Sequence, residues 1–296
     1  MKSLFITGVS GFVGSNLIKL FSSTYEIVRY KKGALVQVNQ DIVIHLAGKA
    51  HDLKRVSSSD EYYKVNTELT KEVFDSFIKS KAKVFITLSS VKAVADEVDI
   101  ELFEEVIPNP VTHYGKSKLL AEQYILSLPI PDDKRVYILR PCMIHGPGNK
   151  GNLNLLYSLV SKGLPWPLGL FENYRSYLSL ENLCFIIKEL IEREDIPSGV
   201  YNVADDVPLS TNELITMIAE SKGKKASILN LNKNFIKVIA RVGDLLKLPL
   251  NSERLHKLTE TYIVSNAKVK KALGKPLPFS SREGLIKTFQ SFSTNA

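Results

Sequence analysis

Tyr114 and Lys118 stand four residues apart at the start of a stretch, 114–128, that reads as a helix, so the two side chains share one face and can reach each other. A tyrosine ordinarily ionises near pH 10 and needs a neighbouring cation to give and take a proton near neutrality. Lys118 supplies one. In isolation the pair also fits an ordinary exposed tyrosine and lysine, because tuned sites are a minority of such pairs. Ser89 and Ser90 change the balance. They close an apolar run, 83–88, that reads as a strand, and the carboxyl ends of strands are where a doubly wound sheet binds its ligands. A serine there can hydrogen-bond a substrate oxygen beside the tyrosine.

Gly8, Gly11 and Gly14 recur at a spacing of three near the start of the chain. The run 3–7 ahead of them is apolar and too short for a helix, which suits a strand buried on both faces. Behind them Val13, Leu17, Leu20 and Phe21 fall on one helical face. Glycine-rich turns precede many helices, so the pattern alone is weak. At a strand-to-helix turn, however, glycine clears side chains from the approach of a pyrophosphate and the helix N–H groups point at the anion. A dinucleotide site is the expectation.

The remaining elements are those such a site requires. Short apolar runs at 25–30, 41–47, 83–90, 135–140 and 200–204 alternate with helical patterns. In one of these, 60–80, Leu69, Val73 and Phe77 recur four apart. Alternation of this kind predicts an α/β fold, a parallel sheet with helices on both faces. Only residues 30–40 separate the second and third strong strands, which is at the lower limit for a crossover containing a helix. An abbreviated layer is expected there, with 35–38 as a stub of strand. Glycines and prolines punctuate the chain beyond residue 146, and helices are expected at 180–193, 210–222, 234–246 and near 281–289.

Composition excludes several classes. The 296 residues, 44% of them hydrophobic, suffice for one large or two modest domains with a real core. Cys142 and Cys184 lack metal spacing, and two buried thiols in a reducing compartment are expected. No leader is apparent, and no run approaches the roughly 18 apolar residues of a membrane span. The cytoplasm, with no insertion into a membrane, is the expected location. The formal charge of +8 comes from basic residues scattered along helices, without the aromatic interleaving of a nucleic-acid interface, so no nucleic-acid partner is expected.

Together with Ile44-His45-Leu46-Ala47-Gly48, Leu139-Arg140-Pro141, His145-Gly146-Pro147-Gly148 and the run Gly199 to Asp205, these motifs resemble the extended short-chain dehydrogenase/reductase family. More narrowly, the chain is similar to the family's nucleotide-sugar epimerases, dehydratases and reductases. The resemblance implies a Rossmann-type doubly wound parallel sheet, residues 1–146 plus about 177–204, with a smaller, mostly helical C-terminal substrate domain, about 147–176 plus 205–296. It implies that Tyr114 is the general acid/base, that Lys118 lowers its pKa and bonds the nicotinamide ribose, and that Ser90, rather than Ser89, polarises the oxygen at C4 of a sugar. Gly8, Gly11, Phe12, Val13, Gly14 and the strand end Leu46, Ala47 and Gly48 would line the cofactor. Asn66 would support the site from behind, Arg175 would bind the substrate diphosphate or nucleotide, and Asn152 is a further candidate for the same pocket.

The family's dehydratases carry an acidic residue directly after the active serine or threonine; here Val91 and Lys92 follow Ser90, so dehydration is not expected. NAD-preferring sites place an acid at the end of the second strand, whereas this strand ends in Arg29-Tyr30-Lys31-Lys32. Arg29 with Lys31 or Lys32 suits a 2′-phosphate, so NADP(H) is preferred over NAD(H). The expected reaction is NADPH-dependent reduction of the C4 ketone of a UDP-linked 4-keto-6-deoxy N-acetyl sugar for surface polysaccharide. The alternatives are a nucleotide-sugar 4-epimerase and a non-catalytic NADP-binding sensor or assembly protein. A homodimer through the helices at 60–80 and 114–128 is a further family expectation.

Overall fold

The computed structural model describes residues 1–50, 59–149, 151–246 and 251–293. Strand β1 (Ser3–Thr7) leads through the glycine turn into helix α1 (Phe12–Phe21), followed by β2 (Glu26–Arg29) and β3 (Ile42–His45). A helical stretch follows, made of α2 (Ser59–Tyr62), one π-helical segment (Tyr63–Glu68) and α3 (Leu69–Lys79). Next come β4 (Val84–Leu88), a 3₁₀ turn (Val91–Ala93), α4 (His113–Ser127), β5 (Arg135–Pro141) and β6 (Met143–His145). The chain continues through α5 (Asn152–Ser161), β7 (Tyr177–Ser179), α6 (Leu180–Glu192), β8 (Gly199–Val203) and α7 (Thr211–Ser221). Helices α8 (Lys233–Leu246), α9 (Ser252–Thr259), α10 (Ala267–Leu273) and α11 (Ser281–Ser293) complete it.

Six strands form one parallel sheet in the order β2-β1-β3-β4-β5-β8. The order reverses between β1 and β3, and such a switch point opens a crevice at the strands' carboxyl ends. Successive side chains of each strand enter opposite cores. Leu4, Ile6, Ile42, Ile44, Val84 and Ile86 pack under α1 and α6, with Leu17, Leu183, Ile186 and Ile187. Their neighbours Phe5, Val43, Phe85, Val136 and Ile138 pack under α3 and α4, with Phe74, Phe77 and Ile125. Burial on both faces explains why these strands read as short apolar runs without alternation.

The abbreviated layer is present, and the strand stub is not. Residues 35–38 are irregular; Leu35 is exposed, while Val38 is buried and its N–H donates to Ser76 Oγ on α3 (3.0 Å). A side-chain acceptor thus takes the place of a ladder partner, and no strand forms. The expectation of two buried thiols holds for Cys184, whereas Cys142 is only half-buried.

Beyond the sheet, a separate apolar cluster joins α5, α7, α8, α9 and α11 through Leu156, Tyr157, Leu214, Ile218, Ile236, Leu255 and Phe289. Strands β6 and β7 pair in parallel at its edge. Among the described residues no helix is long and apolar enough to cross a membrane.

Candidate active site

The glycine turn is closed by backbone contact. Gly8 has φ +69°, and a Cβ there would lie 2.5 Å from both the Ala47 nitrogen and the Leu46 carbonyl carbon. At Gly14 a Cβ would lie 2.3 Å from the Gly8 oxygen. Only glycine lets β1, α1 and the end of β3 approach so closely. Gly11 caps α1 with no side chain, and the helix has no acidic residue in its first turn, so its first N–H groups are available to an anion. Phe12 and Val13 begin that helix and are half-buried. Arg29 ends β2 beside Ile6 of β1 and is exposed, as are Lys31 and Lys32. These cations therefore stand at the adjoining strand end.

A buried hydrogen-bond relay ties that turn to α4. Thr7 Oγ1 accepts from the Leu46 and Ala47 N–H groups (3.1 and 3.0 Å) and lies 2.9 Å from His45 Nδ1. With its acceptor capacity used, the Thr7 hydroxyl donates to His45 Nδ1. Thr70 donates to the Asn66 carbonyl (2.7 Å), so its oxygen accepts from His45 Nε2–H (2.9 Å). Burial, reinforced by the Lys118 charge, holds His45 down at about 3. The ring is therefore neutral, with its proton on Nε2. Asn66 lies in the π-helical segment, a distortion that recurs at functional sites. Its side chain accepts from Lys49 N–H (2.7 Å) and donates to the Lys49 carbonyl (3.1 Å) and Ser117 Oγ (2.9 Å). Ser117 in turn donates to the Tyr114 carbonyl (2.8 Å). The support role expected of Asn66 has this geometry; the hub at His45 escaped the sequence reading, although the residue sits inside a quoted motif.

Helix α4 begins where Thr112 accepts from Gly115 N–H (3.1 Å). A Cβ on Gly115 would come within 2.3 Å of the Lys92 carbonyl, so this glycine lets the helix rest on the 3₁₀ turn that follows Ser90. Tyr114 is thereby brought near Ser90, whose hydroxyl favours the ionised form of the phenol. Burial outweighs that effect, and the Tyr62 phenol adds to it, so Tyr114 lies above its ordinary range. The Lys118 ammonium donates to the Leu88 carbonyl (2.8 Å) and sits 2.9 Å from the place a Gly48 Cβ would occupy. It faces the carboxyl ends of β3 and β4. Burial brings Lys118 down to about 8, against the raising effect of Glu122.

Ser89 is turned towards a buried ion pair. Its hydroxyl donates to Glu122, which also holds Arg140 through contacts of 3.0, 3.1 and 2.6 Å, with both charged side chains buried. On the far side Arg175 pairs with Glu260, and its backbone bridges to Leu209 and Tyr262. The Lys92 amine lies 4.0 Å from the Tyr262 ring centre and donates to the Asp96 carbonyl (2.6 Å). Burial lowers its pKa, while Glu260 and Asp96 raise it and Arg175 lowers it. Lys92, Arg175 and Glu260 thus share one electrostatic neighbourhood two residues beyond Ser90. Asn152 opens α5; its side chain lies outside the described residues.

A model of the NAD dependent epimerase/dehydratase family matches residues 4–204, which include the glycine turn, both serines, Tyr114 and Lys118. The chain belongs to this family. It is 31% identical to the UDP-glucose 4-epimerase of Vibrio cholerae over 98% of this chain and 95% of that one. The UDP-N-acetylglucosamine 4-epimerase from Bacillus cereus has the same fold, with a TM-score of 0.77 at 16% identity and full coverage of both chains (100% of each). RMD from Pseudomonas aeruginosa complexed with NADPH superposes with a TM-score of 0.75 at 20% identity, again over 100% of each chain. Family membership makes this an NAD(P)-dependent enzyme with a Rossmann-type fold, and the turn fits the dinucleotide: backbone fills the space where side chains would lie, and uncapped N–H groups face the crevice.

Proposed function

We propose that the protein is a nucleotide-sugar 4-epimerase that inverts the C4 hydroxyl of a UDP-linked hexose or N-acetylhexosamine. The observation that carries this reading is the placing together of Ser90 and the Tyr114 phenol, with Lys118 one turn further along α4, in a chain 31% identical to a UDP-glucose 4-epimerase along nearly its whole length.

The bound nicotinamide supplies one thing, a reversible hydride acceptor for C4. The rest belongs to the chain. Acting from its phenolate form, Tyr114 takes the proton of the C4 hydroxyl as the ketone forms and returns it when the hydroxyl is restored, so no proton is gained or lost over the cycle. Ser90 holds the same oxygen and offsets part of the rise that burial imposes on the phenol. Gly8, Gly11, Phe12, Val13 and Gly14 seat the pyrophosphate, Leu46, Ala47 and Gly48 line the cofactor, and Lys118 holds its ribose. Arg175 binds the substrate diphosphate, with Glu260 orienting the guanidinium, from a substrate domain comprising 147–176 and 205–296.

One observation favours a second reading, reduction of a 4-keto sugar by NADPH. Strand β2 ends in exposed Arg29, followed by exposed Lys31 and no acid, which suits a 2′-phosphate; RMD, of the same fold, is complexed with NADPH. The two are separated by supplying UDP-glucose or UDP-N-acetylglucosamine with catalytic NAD⁺ and following the C4 epimer by chromatography. Epimer without net cofactor turnover supports the first. Stoichiometric NADPH oxidation with a UDP-4-keto sugar, and no epimer in the other assay, supports the second.

A further inference from the structure

Helix α8 is amphipathic twice over. Its buried seam is narrow, Ile236, Ala240 and Gly243, and seats the helix on the cluster that contains Leu255 of α9. Six large apolar residues stay exposed: Phe235, Val238, Ile239, Val242, Leu245 and Leu246, with Phe235 at 57% and Leu245 at 82%. At helical spacing they occupy one continuous sector about 120° wide, bordered on one side by the seam and on the other by Arg241, with Lys237 beyond it. Scattered exposed apolar residues need no explanation, but an unbroken stripe of this kind marks a contact surface.

The charge around the stripe says what kind. From Ser221 to Gly243 the sequence carries six cations and no acidic residue; of the two acids that bound this run, Glu220 is paired with Arg282 and Asp244, within α8, accepts from Ser252. Lys222, Lys224, Lys225, Lys233, Lys237 and Arg241 are all exposed. Two copies meeting along this stripe would oppose those cations, whereas an anionic bilayer neutralises them and takes up a convex apolar ridge without needing a matching groove. A helix of 14 residues spans only about 21 Å, so it lies along a surface rather than crossing one.

We propose that α8 is an interfacial membrane helix, its apolar stripe entering the headgroup layer of an anionic membrane while the flanking lysines and arginine hold lipid phosphates. Peripheral attachment adds a membrane partner that the sequence, read for a long apolar span, did not offer. It does not depend on which reaction the active site performs.

The test is co-sedimentation of the full-length protein with vesicles of phosphatidylcholine mixed with phosphatidylglycerol, and with vesicles of phosphatidylcholine alone. The protein should bind the anionic vesicles, and added salt should weaken that binding. The triple substitution Phe235→Ser, Val238→Ser and Val242→Ser should lower partitioning about tenfold or more, and the pair Lys237→Glu and Arg241→Glu about tenfold. All five side chains are exposed, so thermal melting should match the parent; the charge-reversed pair decides if the triple variant folds poorly. Failure to bind anionic vesicles, or binding that neither variant changes, overturns the proposal. So does a dimer in light scattering that the triple substitution abolishes while vesicles are ignored, which would assign the stripe to a second copy.

Discussion

Replacing Glu122 by Gln would leave the shape of α4 intact and strand a charge beneath the active site. Glu122 is 2% exposed and Arg140 6%. The carboxylate accepts three contacts of 2.6 to 3.1 Å from the guanidinium and one from Ser89, and Arg140 Nη1 already lacks a partner among the described residues. An amide keeps one acceptor oxygen but removes the counter-charge. Breaking a buried pair by removing one partner costs roughly 3–5 kcal/mol, chiefly because the remaining charge stays desolvated. Retention of the amide oxygen places the expected loss near the lower end, about 3 kcal/mol, readable as a lowered midpoint in urea with the slope unchanged. The double variant Glu122→Leu with Arg140→Met removes both charges and should recover most of that loss. A second consequence follows from Lys118, whose pKa of about 8 is sustained by Glu122 against burial. In Glu122→Gln it should fall further, so activity that needs the charged ammonium should decline at a lower pH on the alkaline side. A loss below about 1 kcal/mol in Glu122→Gln, or a double variant no better than the single one, would refute the buried-charge reasoning.

Three further predictions concern the site and its scaffold. Gly14→Ala places a methyl 2.3 Å from the Gly8 oxygen; overpacking of this kind costs about 1–3 kcal/mol, so the dinucleotide Kd should rise by roughly one order of magnitude by calorimetry, and an unchanged Kd would contradict a closed turn. Ser90→Ala removes the hydroxyl that favours the Tyr114 phenolate, so the acid limb of kcat against pH should move to higher pH; an unmoved limb would detach Ser90 from Tyr114. His45 is held neutral at about 3 against an ordinary 6.5, so between those values the unfolded chain binds a proton that the folded one refuses. Stability should therefore fall with pH from about 6.5 towards 3, by at most roughly 1.4 kcal/mol per pH unit. His45→Asn should flatten this slope in urea titrations at pH 7 and 5, and equal slopes in both proteins would count against the neutral relay.

Most of the fold was legible because β1, β3, β4 and β5 of the central sheet are buried on both faces and α1, α3 and α6 each carry an apolar stripe. The glycine turn could be read because a phosphate cradle and a strand-helix turn demand the same residues. Strands β6 and β7, of three residues each, carry no periodicity to find, and α5, α9 and α10 are short or begin without a strong cap. The stub expected at 35–38 failed because Val38 found its partner in Ser76, a contact between distant parts of the chain. Non-local pairing also hid the partners of the site: Glu260 reaches Arg175 across 85 positions, and His45 reaches Thr70 across 25. Helix α8 teaches a different lesson. Periodicity announces a helix at 234–246, but small residues, Ala240 and Gly243, make much of the buried seam while larger apolar ones face outward. Hydrophobicity alone would have assigned the faces the other way.

The measurement that bears most directly on the proposed chemistry uses a UDP-sugar deuterated at C4, incubated with the enzyme and catalytic NAD⁺ in ordinary water and examined by NMR and mass spectrometry. If Tyr114 exchanges only the hydroxyl proton while the hydride returns to the same carbon, both C4 epimers should appear and both should retain deuterium. Recovery of unchanged starting sugar alone, or an epimer that has lost its C4 deuterium to solvent, would contradict C4 epimerisation by this site.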